Sequence, residues 1–230
     1  TAPINGQLEL TTNPGAAITS FTQADLAAGR VTYTHNGTET TIDSFDFELS
    51  DLTTNIGSAN FTITVTPAND APVGSDNTAI TNEDTNYVFN VTDFNFTDPN
   101  DTVPNNLQAV RIVTLPLNGT LSLAPGASVS GPITVGQYIS VADIPFLTFT
   151  PDADENGNNY GNFNFQLQDD GGTVGTGVDL SDVYTMRLDV TPVNDAPHDL
   201  TLSSIFLPEG ISTWNIGKIK GFDIDSNLLT

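Results

Sequence analysis

The side chains with chemistry in this sequence are carboxylates and carboxamides, and they gather at two places that read alike. Residues 60–72 (NFTITVTPANDAP) and 185–197 (TMRLDVTPVNDAP) each hold an Asn-Asp pair, Asn69-Asp70 and Asn194-Asp195, between two prolines. A third gathering, Asp152-Ala153-Asp154-Glu155-Asn156-Gly157, matches the first half of a D-x-D-x-N-G calcium loop, although position twelve would be Phe163 instead of glutamate. Such oxygen-rich groups suit a hard cation, since Ca²⁺ takes about six to eight oxygens at roughly 2.3–2.6 Å. The competing reading is structural. Asn and Asp beside proline also make turns and cap loops with no ion, and a turn between two strands explains Asp152, Asp154 and Asn156 as well.

Charge narrows the partners. The 230 residues hold 28 Asp and Glu against 5 Lys and Arg, a formal charge of −23. Nucleic acid and anionic membrane surfaces would repel such a chain, whereas cations are its natural counterpart. Acidity that only solvates the surface is the plain alternative. The absence of cysteine excludes a disulfide scaffold, thiolate zinc and cysteine nucleophiles. No apolar run approaches the ~20 residues of a membrane-spanning helix, so no membrane insertion is expected. Neither histidine, His35 in a turn or His198 after a junction proline, sits in a nucleophile, phosphate-loop or zinc motif. Paired carboxylates of a glycosidase type remain the one catalytic pattern open to so acidic a chain, and turn and junction positions account for most of them. The expectation is a non-enzyme. The Asn-x-Thr triplets at Asn36, Asn60, Asn90, Asn95, Asn100 and Asn118 are mostly what an Asn- and Thr-rich composition produces by chance.

The elements that must position these groups are strands. Phe61, Ile63 and Val65 alternate before the first junction, as Met186, Leu188 and Val190 do before the second. A period of two describes a strand with one buried face, and the prolines then end it. The junctions lie 125 residues apart, which makes the chain a repeat array. NGQLEL at 5–10 matches NGTLSL at 118–123, and VTYT at 31–34 matches LTFT at 147–150. Ala24-Asp25-Leu26 matches Ala142-Asp143-Ile144, and DSFDFELSD at 43–51 matches GNFNFQLQD at 161–169. Phe45, Phe47 and Leu49, like Phe163, Phe165 and Leu167, are expected to face inward. Only residues 21–30 lean towards a helix, a single turn ended by Gly29. The chain divides into the back of one repeat (1–72), a complete repeat (73–197) and the front of a third (198–230). Both ends thus fall inside repeats. Either the residues belong to a longer polypeptide, or the front of the third copy docks into the first copy of a neighbour. Short strands with Gly, Asn and Pro turns give an all-β fold of tandem antiparallel β-sandwiches, joined by short stiff linkers into a linear rod.

Together the junction motif, the NG-L-L strand, the F-T-x-A-D-L passage, the Y-T-H-N-G turn and the D-S-F-x-F-x-L-S-D strand resemble the cadherin-like repeats of giant bacterial surface adhesins. The first copy is similar to the chondroitin-sulfate-proteoglycan type of repeat, and the third, LSS-x-x-L-P-E-G…G-x-D-x-D, to the start of a cadherin repeat. The resemblance implies a Greek-key, cadherin- or immunoglobulin-like sandwich, an extracellular rod, adhesion, and Ca²⁺ between successive repeats.

Carried over residue by residue, it implies a first-junction set of Asn69, Asp70, Glu83, Asp84, Asp98 and Asp101, with Asn100 beside them. The second-junction set is Asn194, Asp195, Glu209, Asp223 and Asp225, with Asp169 and Asp170 from the preceding repeat. The linker departs from the cadherin D-x-N-D-N pattern at Pro67, Ala71, Pro192 and Ala196, so fewer or weaker ions are expected. The functional expectation is a calcium-stiffened spacer of a large secreted or surface-anchored adhesin. Its partners are calcium and neighbouring repeats, with a cell-surface or carbohydrate receptor left open. A self-assembling filament subunit and a carbohydrate-binding module are the alternatives; Trp214 and the five tyrosines form no evident platform for the latter.

Overall fold

Alternation of apolar and polar residues becomes strand throughout the chain. The computed structural model describes residues 1–51, 53–196, 198–202, 209–210 and 219–222. Two compact units emerge. The first holds Thr1–Ala71 with the loops Asp98–Asn106 and Gly171–Asp179; the second holds Pro72–Thr97, Leu107–Asp170 and Leu180–Thr230.

In the first unit β1 (Gly6–Leu10) pairs antiparallel with β2 (Val31–His35), setting Leu8 opposite Tyr33 and Leu10 opposite Val31. Between them lies one helical turn, α1 (Gln23–Ala27). Thr22 and Asp25 cap it reciprocally, and Gly29 turns the chain out at a positive φ of 64°. A second hairpin follows, β3 (Ile42–Ser50) with β4 (Asn55–Thr64), in which the Phe45 and Phe61 rings stack at 5.3 Å.

The hairpins are tied at Asp43, which is 5% exposed. Its carboxylate accepts the Ile4 N–H at 3.1 Å, the Asn5 N–H at 2.9 Å, the Ser44 N–H at 2.8 Å and the Tyr33 hydroxyl at 2.9 Å. Burial alone would raise this carboxyl's pKa, but those donors outweigh it and hold it below the usual range. Burial, aided by the hydrogen bond to Asp43, pushes the Tyr33 phenol up to about 12.

The second unit closes a sandwich. One sheet runs in the order β10 (Tyr138–Ser140), β7 (Leu107–Ile112), β12 (Gly157–Asp169), β13 (Tyr184–Thr191), β5 (Asn77–Asn82). The other runs β6 (Tyr87–Val88), β11 (Leu147–Thr150), β8 (Thr120–Leu123), β9 (Gly131–Pro132). Sheet neighbours distant in sequence, β7 beside β12 and β8 beside β11, give the crossings of a Greek key. Among the described residues the ladders of this sandwich are antiparallel except β5 on β13, which is parallel. Phe89, Phe94, Phe163 and Phe165 form the middle of the core, with Leu167, Met186 and Leu188 around them, and Phe94 meets Phe165 edge-on at 5.1 Å. β14 (His198–Leu202) pairs with β15 (Ile219–Phe222).

One local design occurs in both units. Leu121 faces Phe149 across β8 and β11 as Leu8 faces Tyr33 across β1 and β2. In each, an Asn-Gly step begins the strand and the aromatic ring covers the glycine. A Cβ on Gly6 would lie 2.6 Å from a Tyr33 ring carbon, and one on Gly119 would lie 2.5 Å from Phe149. The glycine is needed because the ring occupies the side-chain position.

The inward faces differ between the units. Phe163, Phe165 and Leu167 are fully buried, as expected. Phe45 and Phe47 are half-buried and Leu49 is 62% exposed, which corrects the expectation that the matching face is sealed. Among the described residues no second sheet covers this end of β3 and β4, and Ile56 and Phe61 are exposed with it. Phe165→Ala is therefore expected to cost about 3–5 kcal/mol in urea unfolding. Leu49→Ala should change stability by only about 0.5 kcal/mol. For Asp43, whose folded pKa is lowered, the stabilising effect is complete above the unfolded value near ~4. It is lost as pH falls through the folded value. The stability gap between wild type and Asp43→Asn should therefore shrink on acidification below pH ~4, as read by unfolding at a series of pH values.

Candidate metal centres

Asn69 is the hub of the first gathering, all of it inside the first unit. Its amide Nδ2 donates to the Val178 carbonyl at 2.7 Å, and its Oδ1 accepts from Asn105 Nδ2. The Val178 N–H returns to the Asn69 carbonyl at 2.8 Å. Both polar ends of the side chain are thus used by protein, making Asn69 a clasp between two loops. Carboxylates crowd beside it. Asp98, 5% exposed, accepts the Asn105 N–H on Oδ2 at 2.6 Å, while its buried Oδ1 receives no hydrogen bond. Asp101 accepts the Asp70 N–H at 3.1 Å. Burial pushes the Asp101 carboxyl up; the Asp70 N–H pulls it back, and the charges of Asp98 and Asp70 push it up again.

The second gathering lies inside the second unit. Asn82 stands opposite Thr191 in the parallel ladder, which carries the next residues, Glu83 and Asp84, alongside Val193 to Asp195. Glu83, 2% exposed, accepts the Val193 N–H on one oxygen and Asn156 Nδ2, at 2.9 Å, on the other. The Asp154 N–H reaches Asp84 Oδ1 at 3.3 Å. Both aspartates stand in the left-handed region, at φ 56° and 58°, where non-glycine residues are uncommon though Asp is tolerated. Carboxylate oxygens of Asp84, Asp154 and Asp195 come within 4.8 Å of one another. Like charges at ~4 Å repel by about 1 kcal/mol in water and about 4 at an effective dielectric of ~20.

These placements regroup the residues singled out in the sequence. Asn69, Asp70, Asp98 and Asp101 come together as expected for one junction. Glu83 and Asp84 fall in the second gathering instead. The six residues of β5, roughly 20 Å at ~3.3 Å each, deliver both to the Asn194-Asp195 end. Asp169 and Asp170 are displaced the other way. Gly157 at the start of β12 pairs with Val190, whereas Asp169 pairs with Leu107 at the far end, on the order of 40 Å along the strand. They therefore stand apart from Asn194 and Asp195. Asp152, Asp154 and Asn156 do not converge as a loop of the D-x-D-x-N-G kind would require. Asp152 Oδ2 accepts from the Gly119 N–H at 2.9 Å and the Tyr160 hydroxyl at 3.2 Å, while Asp154 turns to Asp84 and Asn156 to Glu83. Asn194 donates to the Asp195 carbonyl at 2.9 Å, and Glu209 is exposed in a turn. Asp223, Asp225 and Trp214 lie outside the described residues. Sequence reading missed Asn105, which carries no motif of its own; the only hint was the density of Asp, Asn and Pro over 98–106.

Both donor sets suit a hard cation: in the second gathering carboxylate oxygens of Asp84, Asp154 and Asp195 converge, and in the first Asp98 Oδ1 is buried without a hydrogen-bond donor. Comparison with known proteins agrees on the type of fold. Residues 1–65 match the family model described as cadherin-like. The chain is 34% identical over 122 residues to human FRAS1-related extracellular matrix protein 2, and 38% identical over 123 residues to extracellular matrix protein 3 of Lytechinus variegatus. It is also 44% identical over 72 residues to the mouse extracellular matrix organizing protein FRAS1. The alignments cover 52%, 53% and 31% of this chain but only 4%, 4% and 2% of those much longer proteins. No solved structure matches significantly. The chain is an all-β segment of extracellular type, with a cadherin-like stretch at 1–65.

The clasp around Asn69 has a direct check. Asn105→Ala removes its donor and is expected to cost about 1 kcal/mol. Hydrogen exchange should then speed up at the Val178 and Asp70 amides, while amides of β12 and β13 keep their protection.

Proposed function

We propose that this chain is a structural and adhesive segment of an extracellular protein whose sandwich repeats bind Ca²⁺ at the Asn69-Asp70 and Asn194-Asp195 junctions, limiting how far the repeats bend. The observation that carries the reading is Asp98, a carboxylate buried beside Asp70 and Asp101 with one oxygen that no donor meets. Asp70, Asp98 and Asp101 would hold the ion at the first junction. Glu83, Asp84, Asp154 and Asp195 would hold it at the second. A bound Ca²⁺ supplies positive charge that these carboxylates otherwise lack. Asn69, Asn105 and Asn156 orient the loops, and the Val193 and Asp70 amides fix individual carboxylate oxygens. Extracellular modules bind in the range of ~10⁻⁴–10⁻³ M, and tenfold saturation adds about 1.4 kcal/mol per site. That is enough to bias a hinge and too little to fold a sandwich.

A giant bacterial surface adhesin is the finer form of this reading, supported by the acidic composition and the repeated Asn-Asp-Ala-Pro junction. A self-assembling filament subunit has an observation of its own, the exposed apolar face of Leu49, Ile56 and Phe61, and concentration-dependent oligomers would favour it.

Titration calorimetry with calcium, together with solution scattering in calcium and in chelator, tests the proposal. Heat of binding and a more extended, less variable particle in calcium are expected. Asp98→Asn and Asp195→Ala should each weaken binding by roughly tenfold or more while the sandwich stays folded. Wild type that shows neither heat nor a change in scattering would overturn the reading.

A further inference from the structure

The turn after β2 assembles groups that do not belong to any carboxylate cluster. The sequence has Asn-Gly steps at Asn5-Gly6, Asn36-Gly37, Asn118-Gly119 and Asn156-Gly157. An Asn-Gly step can close on itself: the glycine N attacks the asparagine side-chain carbonyl, forming a five-membered succinimide and releasing ammonia. Three things promote it: a base at the glycine N–H, donors on the asparagine Oδ1, and an asparagine Nδ2 free to leave.

Asn36-Gly37 has all three. Gly37 N–H donates to His35 Nδ1 at 3.3 Å, so the lone pair of the imidazole is on the nitrogen facing the future nucleophile. In the neutral ring the proton then sits on Nε2, 2.8 Å from Thr40 Oγ1. Thr40 Oγ1 lies 3.4 Å from Thr38 Oγ1, and the Thr38 hydroxyl donates to Asn36 Oδ1 at 2.7 Å. The Thr38 N–H donates to the same oxygen at 3.2 Å, which also identifies that atom as the oxygen of the amide. The hydrogen bonds therefore form a circuit from nucleophile to carbonyl. Asn36 Nδ2 donates to nothing among the described residues. β2 holds His35 opposite Gly6, and the Asn36 N–H is anchored on the Asn5 carbonyl at 2.9 Å. Gly37 takes a φ of 82°, a conformation that glycine adopts without strain.

The other steps are blocked. Asn118 Nδ2, the group that would have to leave, is held by the Tyr160 carbonyl at 2.9 Å. Asn156 Nδ2 is held by Glu83 at 2.9 Å. Gly6 is fixed in β1 under the Tyr33 ring.

We infer that the turn 35–40 catalyses its own modification, converting Asn36 through a succinimide to aspartate or isoaspartate. The Gly37 N–H proton passes to His35 Nδ1 as nitrogen bonds to the Asn36 side-chain carbon. The His35 Nε2 proton passes through Thr40 and Thr38 to the developing oxyanion. On collapse that proton returns along the same path, the Nδ1 proton goes to Asn36 Nδ2, the carbon–nitrogen bond breaks and ammonia leaves. Water then opens the ring at either carbonyl. The turn gains one negative charge and, in the isoaspartyl product, one extra backbone carbon.

The whole chain, made in a bacterial host so that Asn36-Gly37-Thr38 carries no glycan, is incubated near neutral pH in ¹⁸O-water. Peptide mapping by mass spectrometry follows all four Asn-Gly steps, with a synthetic peptide spanning 31–42 as the unstructured reference. Asn36 is expected to react roughly tenfold or more faster than the peptide, and the other three steps slower than Asn36. His35→Gln should bring Asn36 down to the peptide rate. Thr40→Val, which keeps the imidazole but removes the hydroxyl on its Nε2, should slow it in part. Circular dichroism establishes that each variant is folded. Equal rates in protein and peptide, or a folded His35→Gln variant as fast as wild type, would overturn the inference.

Discussion

The constraint on which the molecule depends is an excess of carboxylates with almost no cations to answer them. With 28 acidic and 5 basic side chains, ion pairing cannot satisfy the acidic groups that the fold buries. Backbone amides and hydroxyls do so. Asp43 joins two hairpins by collecting N–H and O–H donors; Glu9 holds the turn at Gly15 through its N–H at 2.7 Å; Asp143 takes the Ser128 N–H at 2.9 Å. In each case hydrogen bonds keep the carboxyl's pKa below its ordinary range despite burial, so the charge persists at neutral pH. The acidic composition is thus used inside the fold as well as on its surface.

The strands of the complete sandwich were legible because period-two patterning and core burial agree there. Phe163, Phe165 and Leu167 alternate in sequence and are sealed in space. The same pattern at Phe45, Phe47 and Leu49 gave the strand and its register with Phe61, yet burial did not follow. Alternation reports which side chains share a face; what covers that face is a property of other segments. The internal repeat was equally legible, since an Asn-Gly step followed by alternating leucines fixes a strand start wherever it occurs, and an aromatic ring then fills the space the glycine leaves.

The grouping of the acidic residues was only half legible, and the reason is topological. Closeness in sequence to a junction places Asn69 and Asp70 correctly beside Asp98 and Asp101, which sit on short loops. It fails for Glu83, Asp84, Asp169 and Asp170, because a strand separates each from the junction it was assigned to, and a strand carries its far end to the other end of the sandwich. Parallel pairing of β5 with β13 was the missing fact. A short strand next to a proline-bounded junction does not announce its partner, and antiparallel pairing is the ordinary default.

Asp43 and Asp98 show what the two kinds of buried carboxylate ask of their surroundings. Both are 5% exposed, but Asp43 meets four protein donors while Asp98 takes the Asn105 N–H on one oxygen and keeps the other buried without a donor. An ionised carboxylate out of water needs donors or a counter-charge. At Asp43 the protein supplies the donors itself, so the knot between the hairpins needs no cation from the solvent. At Asp98 the neighbours are Asp70 and Asp101, which add charge of the same sign. The cheapest remedy for such a site is a cation from outside, and the junction loops are where that remedy would alter geometry, because loops yield to a few kcal/mol and packed sheets do not. A response to added cations would therefore fall in the segments between sheets, and the Phe-rich core would not share it.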